Sequence, residues 1–273
     1  MEPYYAFVNL LGRGVLAALG VDVRSHGAEN IPTAGPVLLA ATHVSYPDFV
    51  MIEKVAVTRG RYVRFMTRYD AWVPVVSLFL DRMRHVPVDR RAPAGAYLEA
   101  RRLLREGEAV CSFPEAGISH SFTVRALMRG TAALARDTQV PVVPVALWGC
   151  QRIASVGDPH PWPSLTRGRV VDVSFGTPMH AAPDADLTAW TAQLGERLTA
   201  MLEGLQRLPH HRPRPGEYAP WYPAHLGGQA PDVQRGAELD EMPLRAQAPS
   251  WGPSPRAKAR PPEGEGRGAP GTR

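Results

Sequence analysis

The sequence predicts an α/β domain with a mixed, largely parallel β-sheet flanked by helices. Short apolar segments rich in β-branched residues alternate with helical segments between residues 36 and 207, an alternation typical of βαβ units. Apolar residues make up 44% of the 273-residue chain, enough for a sizeable buried core. We therefore expect one domain at residues 23–208.

The predicted elements follow one another in a regular order. Strands are predicted at residues 36–43, 61–68, 84–90, 108–113, 140–149 and 169–176. Helices are predicted at residues 48–59, 71–82, 94–106, 123–137 and 184–207. The helix at 94–106 is well defined, because Gly107 stands where a C-terminal cap belongs. The prolines of 140–149 indicate an edge strand or a strand end.

Residues 1–22 are predicted to form an amphipathic helix. An apolar stripe at helical spacing runs through Tyr4, Val8, Leu11, Val15 and Leu19. Such a helix either packs on the domain or lies in a membrane interface. No apolar run reaches the roughly 20 residues that span a bilayer, and the N-terminus lacks the features of a signal peptide.

The composition changes near Leu208. Residues 209–273 contain 13 of the 28 prolines together with many glycines and arginines. Few aliphatic side chains are available there for burial, so the segment is predicted to be a mostly disordered tail. The aromatic stretch YAPWYPAHLGG at 218–228 is the exception that we expect to dock on the domain.

The two cysteines, Cys111 and Cys150, lie in strand-like apolar segments. They are interpreted as a reduced, buried pair, with a single disulfide as the unsupported alternative. No CxxC or HExxH spacing occurs, so the sequence predicts no metal site.

A histidine and an aspartate follow the first predicted strand. In LLAATHVSYPDFVMIE (38–53), His43 ends the strand and Asp48 begins the next helix. Five residues turn a continuous helix by about 140°, so the two side chains can meet only across a turn. Ser45 and Pro47 favour that turn. A carboxylate on one imidazole nitrogen would fix the tautomer and make His43 a general base.

The same spacing also has a structural interpretation. Ser45 as N-cap and Asp48 three positions later match a capping box. An H-x4-D pattern is common by chance, so it does not alone decide between a base and a cap. The two interpretations are compatible, since a carboxylate is stabilised in a first helical turn in either case.

Three further segments carry a family resemblance. HVPVDR (85–90) and FPEAGIS (113–119) each include the end of a predicted strand, and VPVVPV (140–145) follows one helix later. Together with the H-x4-D pair, these blocks resemble the lysophospholipid acyltransferase family, typified by 1-acylglycerol-3-phosphate acyltransferase. The blocks cover about residues 30–150 in the family's order, and WYPAHLGG (221–228) is similar to a tail of some bacterial members.

The resemblance implies a role for each matching residue. His43 would take the proton from an acceptor hydroxyl, whose oxygen attacks an acyl thioester directly, without an acyl-enzyme. Asp48 would orient His43, and Arg90 would help to hold the phosphate of the acceptor. Glu115 would bind the glycerol portion of the acceptor, and Gly117 would keep that turn open.

The resemblance further implies a glycerol-3-phosphate acyltransferase-like fold that needs no metal or bound cofactor. The donor would be an acyl-CoA or acyl-carrier-protein thioester, and the acceptor a lysophospholipid. An enzyme that draws both lipids from a bilayer would use the N-terminal helix as a peripheral membrane contact, at the cytoplasmic face of the cell membrane. Residues 59–91 contain eight arginines against three aspartates, which favours an anionic donor or lipid surface. No nucleic-acid-binding motif accompanies them.

The third block departs from the family pattern F-P-E-G-T-R-S. Ala116, Gly117 and Ile118 stand where the family has glycine, threonine and the phosphate-binding arginine. We expect Arg125 or Arg129 to supply the missing charge, because residues four apart at the start of the predicted helix share a face. A solvated helix surface is the alternative interpretation of this pair.

Three alternatives to transfer onto 1-acylglycerol-3-phosphate follow from the sequence. One is acyl transfer to a different acceptor, and another is a catalytically silent lipid-binding or membrane-scaffold protein of the same fold. The intact His43–Asp48 pair argues against the silent protein, because binding alone needs no base. A serine hydrolase would need a G-x-S-x-G elbow, which the sequence does not contain.

Overall fold

Seven strands form one mixed sheet in a computed structural model that describes residues 3–157, 163–240 and 249–253. The strands are β1 (Asp22–His26), β2 (Val37–Ala41), β3 (Val63–Arg68), β4 (Val86–Val88), β5 (Ala109–Ser112), β6 (Val142–Trp148) and β7 (Val170–Phe175). Their order is β1-β7-β6-β2-β5-β3-β4, and all neighbours are parallel except β6 and β7. The helices are α1 (Pro3–Ala18), α2 (Asp48–Thr58), α3 (Pro74–Arg82), α4 (Ala94–Arg105), α5 (Gly130–Thr138), α6 (Leu187–Gln206) and α7 (Val233–Leu239). The predicted fold class is confirmed.

The parallel strands at the centre of the sheet bring together the segments that follow β2 and β5. Every residue of β2, β5 and β6 is buried, as expected of parallel strands covered on both faces. Helix α6 packs on β6 and β7, and α4 packs on β4 and β5. Because β2 and β5 are parallel neighbours, the segments that follow them emerge at the same edge of the sheet.

Strand β6 lies in the interior of the sheet, between β2 and β7. Of the two positions that the prolines indicated, an edge strand or a strand end, the edge position was therefore wrong, although the proline signal has a physical basis. Pro144 pairs with Ala40 of β2, and its carbonyl accepts a hydrogen bond from the Gly176 amide at 2.8 Å, just beyond the end of β7. The missing amide of Pro144 thus falls where the β6–β7 ladder ends, so it interrupts little pairing.

The helix predicted at 123–137 begins only at Gly130. The preceding backbone amides bond to other partners, which competes with helix formation. The Arg125 amide donates to Glu115 at 2.9 Å, the Leu127 amide to the Trp251 carbonyl at 2.9 Å, and the Met128 amide to the Pro114 carbonyl at 2.9 Å. The expectation that Arg125 and Arg129 share a helix face was consequently wrong.

Strand β1 has no counterpart among the predicted strands. Its sequence, DVRSH, has no alternation of apolar and polar residues, and four of its five residues are exposed. It pairs only with β7, at the edge of the sheet. Its conformation depends on this pairing rather than on a local sequence pattern.

Helix α1 is packed on one side and exposed on the other. Tyr5 is buried and donates to the Val63 carbonyl at 2.5 Å, while Asn9 donates to Glu53 at 3.0 Å. Its exposed large apolar residues are Phe7, Leu10, Leu11 and Val15. Among the described residues, no helix has both the length and the apolar character needed to cross a membrane.

The buried Glu53 should make the stability of the protein depend on pH. Burial raises its pKa from 4.5 to about 7, so the folded chain holds this proton more tightly than the unfolded chain. The contribution is complete below pH 4.5 and is lost as the pH rises to about 7, by an amount on the order of 3 kcal/mol. We expect Glu53→Gln to flatten this part of the pH profile in urea unfolding. The exposed Glu196→Gln is the control, and an equal slope in both variants would contradict the assignment.

Residues 209–240, which follow Leu208, pack against the domain. Ala219, Tyr222 and Ala230 are buried against the domain, which agrees with the docking expected for 218–228. Trp251 also docks, since a Cβ on Gly195 of α6 would lie 2.4 Å from its indole ring. Residues 209–240 therefore differ from the expected disorder, because a few aromatic side chains supply enough apolar surface. Residues 241–248 and 254–273 lie outside the described part of the chain.

Candidate active site

His43 and Asp48 meet across the turn between β2 and α2. His43 Nδ1 lies 2.9 Å from Asp48 Oδ2, and the Asp48 side chain is fully buried while that of His43 is 21% exposed. Pro47 immediately precedes α2, and no side chain caps this helix. The Asp48 carboxylate instead bonds back to the turn. The geometry brings together the two residues that the sequence pairs, with the second imidazole nitrogen left for another partner.

Four further donors hold the Asp48 carboxylate. The amides of Val44 and Ser45 donate to Oδ2 at 2.8 and 2.9 Å, and the Ser45 hydroxyl donates to Oδ1. The Cys150 thiol donates to Oδ1 at 2.9 Å, and burial raises its pKa well above the usual value, so it keeps its proton. Sequence reasoning missed Cys150, because a residue 102 positions away gives no local signal.

Glu115 supports the backbone of the site. It is buried, and its carboxylate accepts the amide of His43 at 2.7 Å and that of Arg125 at 2.9 Å. Burial raises the pKa of Glu115 to about 8. These two hydrogen bonds from backbone amides fix the direction of the chain after β2 and after β5. This placement favours a role in positioning His43 over the direct contact with glycerol that the family resemblance implies.

Arg125 and Arg129 lie in different environments. Arg125 is buried, donates to the Ile118 carbonyl at 3.3 Å and forms an ion pair with Asp240 at 3.3 Å. Arg129 lines the large pocket beside His43. Of the two arginines expected to replace the missing charge, Arg129 is therefore the one that lines this pocket.

Gly117 makes room for Arg125. A Cβ at this position would lie 2.6 Å from Arg125 Nη1. The residue with a positive φ is instead Ala116, at 54°, where the family pattern has glycine. This conformation costs a residue with a Cβ roughly 1–2 kcal/mol.

Ala116→Gly should therefore stabilise the protein. We expect the free energy of unfolding to rise by up to about 1 kcal/mol, because the strain removed exceeds the added backbone entropy of glycine. Gly117→Ala is the matched opposite change and should destabilise the chain through its clash with Arg125. Chemical denaturation measures both, and a destabilised Ala116→Gly variant would show that the turn is not strained.

A pocket of about 920 Å³ opens beside His43, within the usual range for ligand sites. The His43 ring stacks on Phe113 with ring centroids 4.3 Å apart. The apolar part of the lining includes Phe49, Met66, Val88, Ala96, Phe113 and Leu134. Arg90 and Arg129 line the same pocket. It therefore offers an apolar space and cationic groups next to a carboxylate-backed imidazole.

Several arginines of residues 59–91 serve the fold rather than a ligand. Arg61 donates to the carbonyls of Pro32 and Gly107, and the buried Arg64 binds Glu108 and the Met83 carbonyl. Arg84 bridges Glu106 and Glu108. The local arginine excess therefore overstates the cationic surface that remains for an anionic partner.

Comparisons with known proteins relate this chain to acyltransferases. The family model described as Acyltransferase matches residues 22–148. The 1-acyl-sn-glycerol-3-phosphate acyltransferase of Bacillus subtilis is 28% identical over 195 residues, covering 71% of this chain and 89% of that protein. The chloroplastic enzyme of that name from Arabidopsis thaliana is 26% identical over 161 residues, but the match spans only 44% of its length and 57% of this chain.

A solved structure shares the fold. The crystal structure of the 1-acyl-sn-glycerophosphate (LPA) acyltransferase PlsC from Thermotoga maritima superposes with a TM-score of 0.62 at 21% identity, covering 75% of this chain and 81% of that one. The matched family region runs from β1 to the end of β6 and contains His43, Asp48, Arg90 and Glu115. The family resemblance is confirmed for this region: residues 22–148 match the acyltransferase family model.

Proposed function

We propose that this protein transfers a fatty acyl group from an acyl thioester to the free hydroxyl of 1-acylglycerol-3-phosphate, giving phosphatidic acid. The observation that carries the proposal is the His43–Asp48 pair beside an apolar pocket with arginines in its wall. The names of the relatives support the choice of acceptor.

In the proposed reaction, His43 acts as the general base. Asp48 holds Nδ1, which leaves Nε2 to take the proton of the acceptor hydroxyl. The oxygen then attacks the thioester carbonyl, and the tetrahedral intermediate collapses as the carbon–sulfur bond breaks. The proton on His43 passes to the leaving thiolate. No side chain becomes acylated, and Asp48 supports the positive charge on the ring throughout.

Arg90 and Arg129 would hold the phosphate of the acceptor. Guanidinium groups bind phosphate through paired donors, and both arginines line the pocket that His43 faces. Ile118, which replaces the arginine of the family pattern, is buried and offers no charge. In this proposal, the positive charge comes from Arg129 at the start of α5 instead of from an arginine in the third block.

An acceptor panel tests this assignment. Free thiol released from acyl-CoA is measured with 1-acylglycerol-3-phosphate and with monoacylglycerol, which lacks the phosphate. We expect release with the first acceptor and a KM about tenfold or more higher in Arg129→Ala, as for loss of a charged hydrogen bond. The exposed Arg105→Ala is the control. Equal rates with both acceptors would contradict the phosphate assignment and indicate a neutral acceptor. Repeating the panel with an acyl-carrier-protein thioester shows which of the two thioesters is the donor.

The exposed face of α1 would contact the membrane, at its cytoplasmic face, where the lipid acceptor resides. Leu10 and Leu11 are 67% and 54% exposed, although the opposite side of α1 is packed on the domain. Exposed apolar residues on an amphipathic helix bind the interface in proportion to the area they bury there.

The double variant Leu10→Asp with Leu11→Asp should bind phospholipid vesicles at least tenfold more weakly, because two apolar side chains no longer enter the interface. Flotation with vesicles of phosphatidylglycerol and phosphatidylethanolamine measures the binding. Leu165→Asp is the matched control, since Leu165 is 74% exposed elsewhere on the surface. Unchanged flotation of the double variant would show that α1 is not the membrane contact.

A further inference from the structure

A cluster of histidines surrounds one buried carboxylate outside the pocket. Asp172 of β7 is fully buried, and its Oδ2 lies 2.7 Å from His210 Nε2 and 2.8 Å from His211 Nε2. Its Oδ1 lies 2.6 Å from His26 Nε2 of β1. None of these four residues lines the pocket beside His43.

We propose that Asp172, His210 and His211 form a structural binding site for a divalent transition metal of the zinc type. The ligand atoms of these three residues all lie within 4.8 Å of one another. Imidazole nitrogen and carboxylate oxygen are ligands that zinc prefers. A tetrahedral ion with bonds of 2.0–2.1 Å separates its ligand atoms by about 3.3 Å, which is about half an ångström more than the two distances from the histidines to Asp172 Oδ2.

A cationic side chain, that of Arg152, lies near His211. Its guanidinium is held over the Trp221 ring, 4.0 Å from the centroid.

The backbone at Gly149 packs closely against the His211 ring. Gly149, directly after β6, has a φ of 105°, and a Cβ there would lie 3.0 Å from His211 Cε1. His211 is thus packed tightly, while the side chain of His210 is 30% exposed and leaves a path from solvent. Water would complete the coordination sphere.

His26 would act through the carboxylate rather than on the ion. Its Nε2 bonds to the oxygen that faces away from His210 and His211. Such outer partners typically change metal affinity by about 10- to 100-fold. The metal would tie the segment that follows α6 to β7, and through His26 to β1, three parts of the chain that are distant in sequence. This explains why local motif spacing gives no sign of the site.

Zinc titration of the full-length, chelator-treated protein tests the proposal. We expect one equivalent of Zn²⁺ by calorimetry, a rise of several degrees in Tm, and visible absorption of four- or five-coordinate Co²⁺. His210→Ala should weaken zinc binding at least 100-fold and His26→Ala by about 10- to 100-fold. His225→Ala is the control, because His225 pairs with Glu203 instead.

Two results would contradict the proposal: a folded full-length protein that takes up no zinc, or a His210→Ala variant that binds zinc as tightly as the wild type. Either result would mean that the cluster only holds these segments together by hydrogen bonds. His210 is the informative position because it is partly exposed, so its loss should leave the fold intact. The readouts are metal content and spectra, so they are independent of acyl transfer.

Discussion

His43→Ala should lower kcat by about 10²- to 10⁴-fold, the usual contribution of a general base. KM should change little, because His43 acts on the proton rather than on the bulk of either lipid. The fold should survive, since Asp48 keeps the amides of Val44 and Ser45 as donors. Thiol release at saturating acceptor measures the effect, and the melting temperature reports the fold.

His225→Ala is the control for this prediction, because it removes a partly exposed histidine that does not line the pocket. A folded His43→Ala protein with more than a tenth of the wild-type kcat would show that another group takes the proton. The catalytically silent alternative predicts something different, namely that neither the wild type nor the variant releases thiol with any acceptor.

Asp48→Ala should damage both catalysis and stability. The change leaves three buried or partly buried N–H donors, those of His43, Val44 and Ser45, without their acceptor. Each unmatched buried donor costs about 1–3 kcal/mol. Water entering the space would satisfy some of them. We therefore expect a loss of about 3–5 kcal/mol in the free energy of unfolding, together with a kcat comparable to that of His43→Ala.

Asp48→Asn separates charge from hydrogen bonding. The amide oxygen can still accept from His43, Val44 and Ser45, and its NH₂ can donate to the Ser45 hydroxyl, whose contact with the carboxylate is already in place. Stability should recover most of the loss, while kcat stays about 10²-fold down because the imidazolium lacks a counter-charge. If Asp48→Asn retains wild-type kcat, Asp48 serves only to hold the turn before α2.

Much of the fold and the centre of the site were predictable because their signals are local. The buried β2 and the turn before α2 follow from apolar runs and proline chemistry, which place His43 and Asp48 at one end of a strand. The order of the family's blocks then identified Glu115. These features depend on residues close in sequence, so a pattern along the chain can reveal them.

The remaining features depend on contacts between distant segments. The helix expected from residue 123 is delayed because Glu115 and Trp251 hold the amides of Arg125 and Leu127. Cys150 reaches Asp48 only after β6 lies beside β2. Strand β1 is extended only because β7 pairs with it. No local propensity encodes these partners, since they exist only once the sheet has formed.

The most direct test of the proposed reaction is product analysis. Purified full-length protein is incubated with 1-acylglycerol-3-phosphate and an acyl thioester, and the lipids and the protein are examined by mass spectrometry. The account predicts phosphatidic acid with both acyl chains, loss of this product in His43→Ala, and no acylated protein in the absence of acceptor. A wild-type protein that remains folded but forms no phosphatidic acid from either acyl-CoA or acyl-carrier-protein thioester would contradict it.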